Sequence, residues 1–280
     1  MNGSFYGWYL KCQTDTQTLA VIPAVHRTGR KRICSIQIIT DHDAFTVTFN
    51  SDAFQRTKRN IFIGENRFGK DGIHLAIRTS QLTVKGNLHF GPLHPLKYDI
   101  MGPFAFVPFM ECRHSVWSMR HAVRGNVYVN GQKYSFHNAW GYWEGDRGRS
   151  FPKEYLWTQC CFSDGTIMLS VADIPLAGIH FTGVIGVILW QGKEYRMATY
   201  LGAKAVQIQN NRVRVRQGNL KLDVRLLEAS ECPLKAPTKG DMVRTIHESA
   251  SCRAFYRFRK KGCTLFAFET DRASFEFEYR

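Results

Sequence analysis

Apolar and polar residues alternate with a period of two along much of the chain, the pattern of strands with one buried face. Residues 35–40 (SIQIIT), 44–49 (AFTVTF), 73–79 (IHLAIRT) and 82–90 (LTVKGNLHF) follow it. Residues 126–136, NVYVNGQKYSF, hold Asn130-Gly131 between two alternating runs. That dipeptide suits a tight primed turn, because both central residues must take positive φ. Residues 184–190 and 194–199 flank Gln191-Gly192-Lys193 as a second hairpin. The clearest alternation is 205–227, where Val206, Ile208, Val213 and Val215 face one way and Arg212, Arg214 and Arg216 the other. Asn210-Asn211 and Gly218-Asn219 supply its turns, and Leu220, Leu222, Val224 and Leu226 continue the apolar face. Further strands are predicted at 253–259, 264–269 and 274–279.

One helix is predicted, over 241–250 (DMVRTIHESA), with Asp241 as its cap and Met242, Val243 and Ile246 as a short apolar face. Many strands, hairpin-length gaps and almost no helix predict an all-β barrel or sandwich. There is no βα alternation, which excludes a dinucleotide-binding sheet. Residues 100–160 break the rhythm and are dense in Trp, Phe, Pro, Gly and His. Irregular, aromatic, polar-studded stretches are where binding chemistry usually sits. The expected division is into two β domains, 1–138 and 139–280.

The formal charge is +15, from 38 basic and 23 acidic residues among 280. Such a surplus favours anionic partners. The charges are scattered, with only short knots such as Arg30-Lys31-Arg32 and Arg259-Lys260-Lys261. No nucleic-acid signature accompanies them, so no nucleic-acid partner is expected, and contact with an anionic membrane surface is the remaining charged partner. Eight cysteines lack the spacing of a disulfide framework, and Cys160-Cys161 are adjacent. The opening MNGSFYGWYLKC has no basic region followed by an apolar run. A cytoplasmic protein with free thiols is therefore expected, at most peripheral to a membrane.

Residues 64–70, GENRFGK, match most of a phosphate-binding loop, but Asp71 stands where its Ser or Thr belongs and a strand follows instead of a helix. No cysteine pair has zinc spacing and His247-Glu248 lacks a second histidine, so no metal is expected. His114 and His121 could in principle share an ion.

The densest chemistry is 141–159, GYWEGDRGRSFPKEYLWTQ. Tyr142, Glu144, Asp146, Arg147 and Arg149 stand within eight residues. If 140–144 is extended, Tyr142 and Glu144 share a face and Trp143 lies opposite. Neighbouring aromatics would raise a carboxyl pKa and a nearby Arg would lower it. A Glu–Arg knot with a purely structural role fits the same residues.

The stretch Tyr142-x-Glu144-x-x-x-Gly148-Arg149-Ser150-Phe151-Pro152-x-x-x-x-Trp157-x-Gln159 resembles the signature of the tocopherol cyclase family. The resemblance extends to Phe5-x-Gly7-Trp8-Tyr9-x-Lys11, Leu19-Ala20-x-Ile22-Pro23, Gly102-Pro103-Phe104, Phe109-Met110-Glu111-Cys112-x-His114, Ser118, Leu234-Lys235-Ala236-Pro237 and Ile246-x-Glu248-Ser249. Arg147 stands where the family pattern has Trp.

The resemblance implies two lipocalin-like antiparallel β-barrel domains with a cleft between them, related to carotenoid hydratase and Diels–Alderase-type proteins. It implies a greasy isoprenoid or quinol-like ligand and chemistry without a cofactor. Ring closure on a prenylated quinol needs a proton delivered to an alkene, aromatic faces for the cation and exclusion of water. Candidate catalytic residues are Glu144, Asp146, His114, Glu111, Tyr142 and Arg149. Candidate ligand-binding residues are Trp8, Tyr9, Trp117, Trp157 and Gln159. A module that binds a hydrophobic molecule without changing it is the alternative, because the same aromatics serve it equally.

Overall fold

The computed structural model describes residues 3–108, 110–176, 178–229, 232–238 and 241–279. Phe109 lies outside them, and the side chains of Leu234, Lys235 and Glu248 are likewise not described.

Two antiparallel sheets hold almost the whole chain. The first is built from β1 (Ser4–Gln13), β2 (Thr18–Thr28), β3 (Lys31–Ile39), β4 (Ala44–Phe49), β5 (Phe54–Arg56), β6 (Asn60–Ile63), β7 (Asn66–Gly69), β8 (Gly72–Arg78), β9 (Thr83–Phe90), β10 (Cys112–Val129) and β11 (Gln132–Gly148). Its order is β4-β3-β2-β1-β11-β10-β9-β8-β7-β6-β5. The second comprises β12 (Tyr155–Phe162), β13 (Gly165–Leu176), β14 (Ile179–Trp190), β15 (Lys193–Ala198), β16 (Lys204–Gln209), β17 (Arg212–Gln217), β18 (Leu220–Glu228), β19 (Cys232–Thr238), β20 (Asp241–Lys260) and β21 (Cys263–Phe277). Its order is β15-β14-β13-β12-β21-β20-β18-β17-β16, with β19 paired to β20.

Each sheet curls around its own core. A flat eleven-stranded sheet would hold its edges about 45 Å or more apart. Instead Phe54 of edge strand β5 stacks 6.2 Å from Trp8 of β1, and Arg32 of β3 lies 4.6 Å over the Phe54 ring. The described pairing joins no strand to close the ring, so the sheet is a curled half-barrel, not the closed barrel expected. The change of sheet falls between Gly148 and Tyr155, and the boundary expected at 138/139 lies within β11. Among the described residues, no helix is long and apolar enough to cross a membrane.

The predicted hairpins form with the predicted backbone. Asn130 and Gly131 take φ of 48° and 86°, and Gln191 and Gly192 take 48° and 72°. Two expectations are corrected. Residues 241–250 are strand, not helix. Val243, Thr245 and Ile246 are β-branched and favour a pleated surface, and β19 supplies a partner through Leu234↔Ile246 and Ala236↔Arg244. Val206 is half exposed rather than on the apolar face, because a bulge between Ala205 and Gln207 shifts the alternation there. The phosphate-loop lookalike forms the β6–β7 hairpin and its turn into β8, with no helix end to receive an anion.

The sheets pack back to back through their central strands. In β1, Trp8, Leu10 and Cys12 join the core of the first sheet. The alternate residues turn to the second sheet: the Tyr9 hydroxyl is 3.0 Å from Ser274 Oγ, Lys11 Nζ donates to the Arg272 carbonyl at 2.7 Å, and Gln13 Nε2 donates to the Cys161 carbonyl at 3.1 Å. In β12, Leu156 and Cys160 enter the second core, while Tyr155 and Trp157 enter the seam. The seam has an apolar cluster of its own, including Ile39, Met101, Met119, Met168 and Ile246.

Among the described cysteines, seven are free thiols, and only Cys263 is exposed. Cys160 is wholly buried, and burial pushes its thiol up to about 12, so it is a packing residue and not a nucleophile.

Candidate active site

At the seam β11 is extended, so Tyr142, Glu144 and Asp146 share its outward face, and Trp143 enters the first core on the other side. Strand β10 lies alongside in a register that pairs His114 with Asp146 and Val116 with Glu144. His114 therefore stands between the two carboxylates. Its Nδ1 is 3.0 Å from Asp146 Oδ1, and its Nε2 is 3.0 Å from Glu144 Oε2. The same Glu144 oxygen accepts a short hydrogen bond from the Tyr142 hydroxyl and one of 3.3 Å from Trp157 Nε1. Trp157 comes from β12, so the carboxylate is held from both sheets.

The cluster is nearly dry: His114 is 7% exposed, Glu144 4% and Tyr142 1%. Burial disfavours the imidazolium, but Glu144 and then Asp146 outweigh it and hold the His114 pKa well above its ordinary value. Burial, then the Glu144 charge, pushes the Tyr142 phenol well above its ordinary value, so Tyr142 is a donor and not a base. Burial and the neighbouring Asp146 likewise keep Cys112 a neutral thiol, 3.4 Å from Asp146 Oδ1.

His114, Glu144 and Asp146 are also the described residues whose ligand atoms are near enough to share an ion. A histidine gives an ion one ring nitrogen. Here each carboxylate stands 3.0 Å from a different ring nitrogen: Nδ1 is hydrogen-bonded to Asp146, whereas the buried Nε2 has no aligned hydrogen-bond partner among the described residues. His121 takes no part. Its Nδ1 is 2.9 Å from Ser118 Oγ, and burial depresses its pKa to about 4.

Glu144, Asp146 and His114 border a partly open cavity of about 180 Å³. Its other walls come from both sheets and from the segment between β9 and β10, with Ile22, Met101, Phe104, Phe151 and Ile174 among them. Trp8, Tyr9 and Trp157 also line it, and Tyr9 meets Trp157 edge to face at 5.2 Å.

The other expected residues stand further back. Glu111 reaches the knot through its backbone: its carbonyl accepts from the Arg149 N–H at 2.8 Å. Trp117 packs on Trp143 at 5.5 Å, on the inner side of the first sheet. Gln159 is fully buried in the seam, with Nε2 3.3 Å from Cys161 Sγ. Arg147 is exposed, and Glu144 finds a hydroxyl, an indole and an imidazole as partners instead of an Arg.

Among the cavity residues that escaped the sequence reading are Tyr155 and Glu276. The Tyr155 hydroxyl donates to Glu276 Oε2 at 2.5 Å. The available signal was weak. Tyr155 stands two residues before Trp157, on the same strand face, and Glu276 alternates with aromatics in FEFEYR, a pattern that normally marks a solvated face.

No curated protein matches the chain by sequence. Several solved structures share its fold. Kievitone hydratase from Nectria haematococca superposes with a TM-score of 0.60 at 9% identity, covering 99% of this chain and 89% of that one. CghA, solved with Sch210972, gives 0.62 at 10% identity over 98% of this chain and 88% of the other. CghA in a second structure gives 0.62 at 9% identity, over 99% and 89%. Residues 77–210 match the family described as tocopherol cyclase-like. That matched span, just under half of the chain, supplies His114, Tyr142, Glu144, Asp146 and Trp157 to the site.

Proposed function

We propose that the protein is an enzyme that cyclises or hydrates an isoprenoid-type molecule by acid catalysis without a cofactor, with a prenylated quinol as the leading substrate class. The observation that carries this reading is the buried His114–Glu144 pair facing an apolar cavity. His114 Nε2 and Glu144 Oε2, 3.0 Å apart, are the groups that would supply the proton. Transfer to an alkene carbon in the cavity leaves a tertiary cation beside the rings of Tyr9 and Trp157. Asp146 holds the other ring nitrogen and keeps the imidazole oriented, while Tyr142 and the Trp157 indole fix the carboxylate. Capture by a hydroxyl of the same molecule closes a ring, and capture by water gives a hydrate.

The family match and the hydratase among the structural neighbours support this class of reaction. A cavity of about 180 Å³ is slightly larger than the ~150 Å³ space that accepts a benzene ring. It suits one ring and the nearest prenyl carbons, with the tail leaving through the opening. A peripheral contact with an anionic surface fits the outer face of the second sheet, where Lys204, Arg216, Lys221 and Arg259 lie in one cross-strand row.

The test is turnover of a prenylated quinol by the purified protein and by Glu144→Gln. The expected result is conversion by the wild type and a loss of about a hundredfold or more in the variant, the scale of general acid catalysis. Full activity in the variant rules out Glu144 as the acid. The apolar walls equally favour a module that only binds. Ring closure leaves the mass unchanged, so recovery of the quinol with unaltered chromatographic retention and its alkene intact after incubation would establish that reading in place of catalysis.

A further inference from the structure

Strand β13 forms part of the cavity wall that the second sheet contributes. Its residues Ile167, Leu169 and Val171 enter the second core. The alternate residues, Met168, Ser170, Ala172 and Ile174, therefore turn to the seam. Ser170 is the polar member of that face, and it lines the cavity. It keeps some exposure while residues 166–169, 171 and 172 are buried, so the surface left to it is cavity surface.

The other polar side chains of this wall are engaged. The Tyr155 hydroxyl and Glu276 are hydrogen-bonded to each other. Thr199 Oγ1 accepts from the Val184 N–H at 2.7 Å, and Trp157 Nε1 donates to Glu144. Ser170 Oγ has no hydrogen bond among the described residues. An alanine would line an apolar wall equally well, whereas a hydroxyl offers both a donor and an acceptor. Its position gives that offer a use. Ser170 is the register partner of Trp157 on one side and of Ile185 on the other. The Ser170 and Trp157 side chains thus stand side by side, with about 5 Å between their Cβ atoms. From there the indole reaches to Glu144, so it lies between Ser170 and the His114–Glu144 pair. A flat ring laid along the indole, with its alkene at that pair, brings its far edge toward Ser170.

We propose that Ser170 is a specificity residue: its hydroxyl holds a ring hydroxyl of the substrate that takes no part in the reaction, and so sets the alkene against the acid pair. This rests on the acid-catalysed reading above and narrows its substrate class. The favoured molecule is an apolar ring with a second hydroxyl, on the side away from its alkene. No bond is made or broken at Ser170. It acts through binding and alignment, and the chemistry stays with His114 and Glu144.

The test compares geranylhydroquinone with ortho-geranylphenol, which keeps the hydroxyl that closes the ring and lacks the other. Binding is measured by equilibrium dialysis under argon, and ring closure by chromatographic retention. The wild type should bind the quinol about three- to tenfold more tightly than the phenol, the scale of one hydrogen bond between neutral groups. Ser170→Ala should bind both probes equally, at the wild-type affinity for the phenol, and its KM for the quinol should rise by the same factor. The unchanged affinity for the phenol shows that the variant is folded. Glu144→Gln should lose turnover and keep the preference. Equal binding of both probes by the wild type overturns the assignment, and so does an undiminished preference in Ser170→Ala. A parallel loss of both affinities in Ser170→Ala makes Ser170 a packing residue and overturns it too. Turnover by the wild type in any of these three cases leaves the acid-catalysed reading standing. A preference that depends on Ser170, with no turnover of either probe, supports the anchor and overturns that reading. If neither probe binds, both fall.

Discussion

Glu144 presents one oxygen to two donors, the Tyr142 hydroxyl and the Trp157 indole, and the same oxygen lies 3.0 Å from His114 Nε2. The consequence for His114 is a charge that persists through neutral pH. Its pKa is raised in the folded state, against burial, by Glu144 and Asp146. The stability this contributes is fully present below the ordinary value of 6.5 and is lost as pH rises through the folded value. Thermal melts of wild type and His114→Gln should therefore differ most below that pH and converge as pH rises above it. Turnover should follow the same group, staying level through pH 6.5 and falling only at higher pH. A wild-type rate that drops by half near 6.5 would show that His114 titrates as an unperturbed imidazole. These partnerships were half legible in the residues. The spacing of Tyr142 and Glu144 is a strand period, so their shared face could be read. His114 is thirty-two positions before Asp146, and only the β10–β11 register brings it in.

At the scale of elements, the legible strands were those with one wet face. Strands β8, β9 and β17 alternate because one side meets water, and their periods could be read directly. Strand β12 is buried in seven consecutive positions and β1 in its last six, because one face enters a sheet core and the other enters the seam. Such strands lose their alternation. Strand β10 hides for another reason: its register shifts between Val116 and Ser118, again before His121, and again between Val123 and Gly125. Each shift reverses the faces downstream. The site is therefore carried by the elements that were hardest to read.

One small residue keeps the β1–β11 contact close enough for the site. A Cβ on Gly145 would meet the Gly7 carbonyl oxygen at 2.4 Å and the Trp117 ring at 2.8 Å. Backbone cannot swing aside as a flexible side chain can. Gly145→Ala should force β11 away from β1 between Glu144 and Asp146, at a cost of about 1–3 kcal/mol. Turnover should fall about tenfold or more, while circular dichroism still shows strand. A variant with wild-type stability and rate would mean that the contact relaxes without moving the site.

Over the whole molecule, part of the surplus of positive charge is gathered into one row on the second sheet. Lys204, Arg216, Lys221 and Arg259 are successive register partners across β16, β17, β18 and β20. Arg212, Arg214 and Arg257 stand beside them but converge on Asp223, which accepts at 2.5 Å from Arg212 and 2.9 Å from Arg257 and lies 3.8 Å from Arg214. The row has no such centre among the described ion pairs, and like charges directly opposite one another repel. Raising salt from about 10 mM to about 300 mM shortens the screening length from about 30 Å to under about 8 Å. The melting temperature should rise by a few degrees over that range, and the rise should shrink in Lys221→Gln. A melting temperature that falls with salt would mean that attractive pairs, such as those around Asp223, dominate instead.

The back-to-back seam also bears on how the chain acquires its chemistry. Each sheet encloses a core without the other, but neither half alone has a site. The first brings Tyr142, Glu144, His114 and Asp146 to an outer surface that would be wet if left uncovered. The second brings Trp157, Tyr155 and Glu276 to a surface of the same kind. Only docking dries both and lets two sets of buried polar groups meet across an apolar gap. The proposed centre is thus a product of assembly within one chain, and its activity would report the docking of the halves more directly than the folding of either.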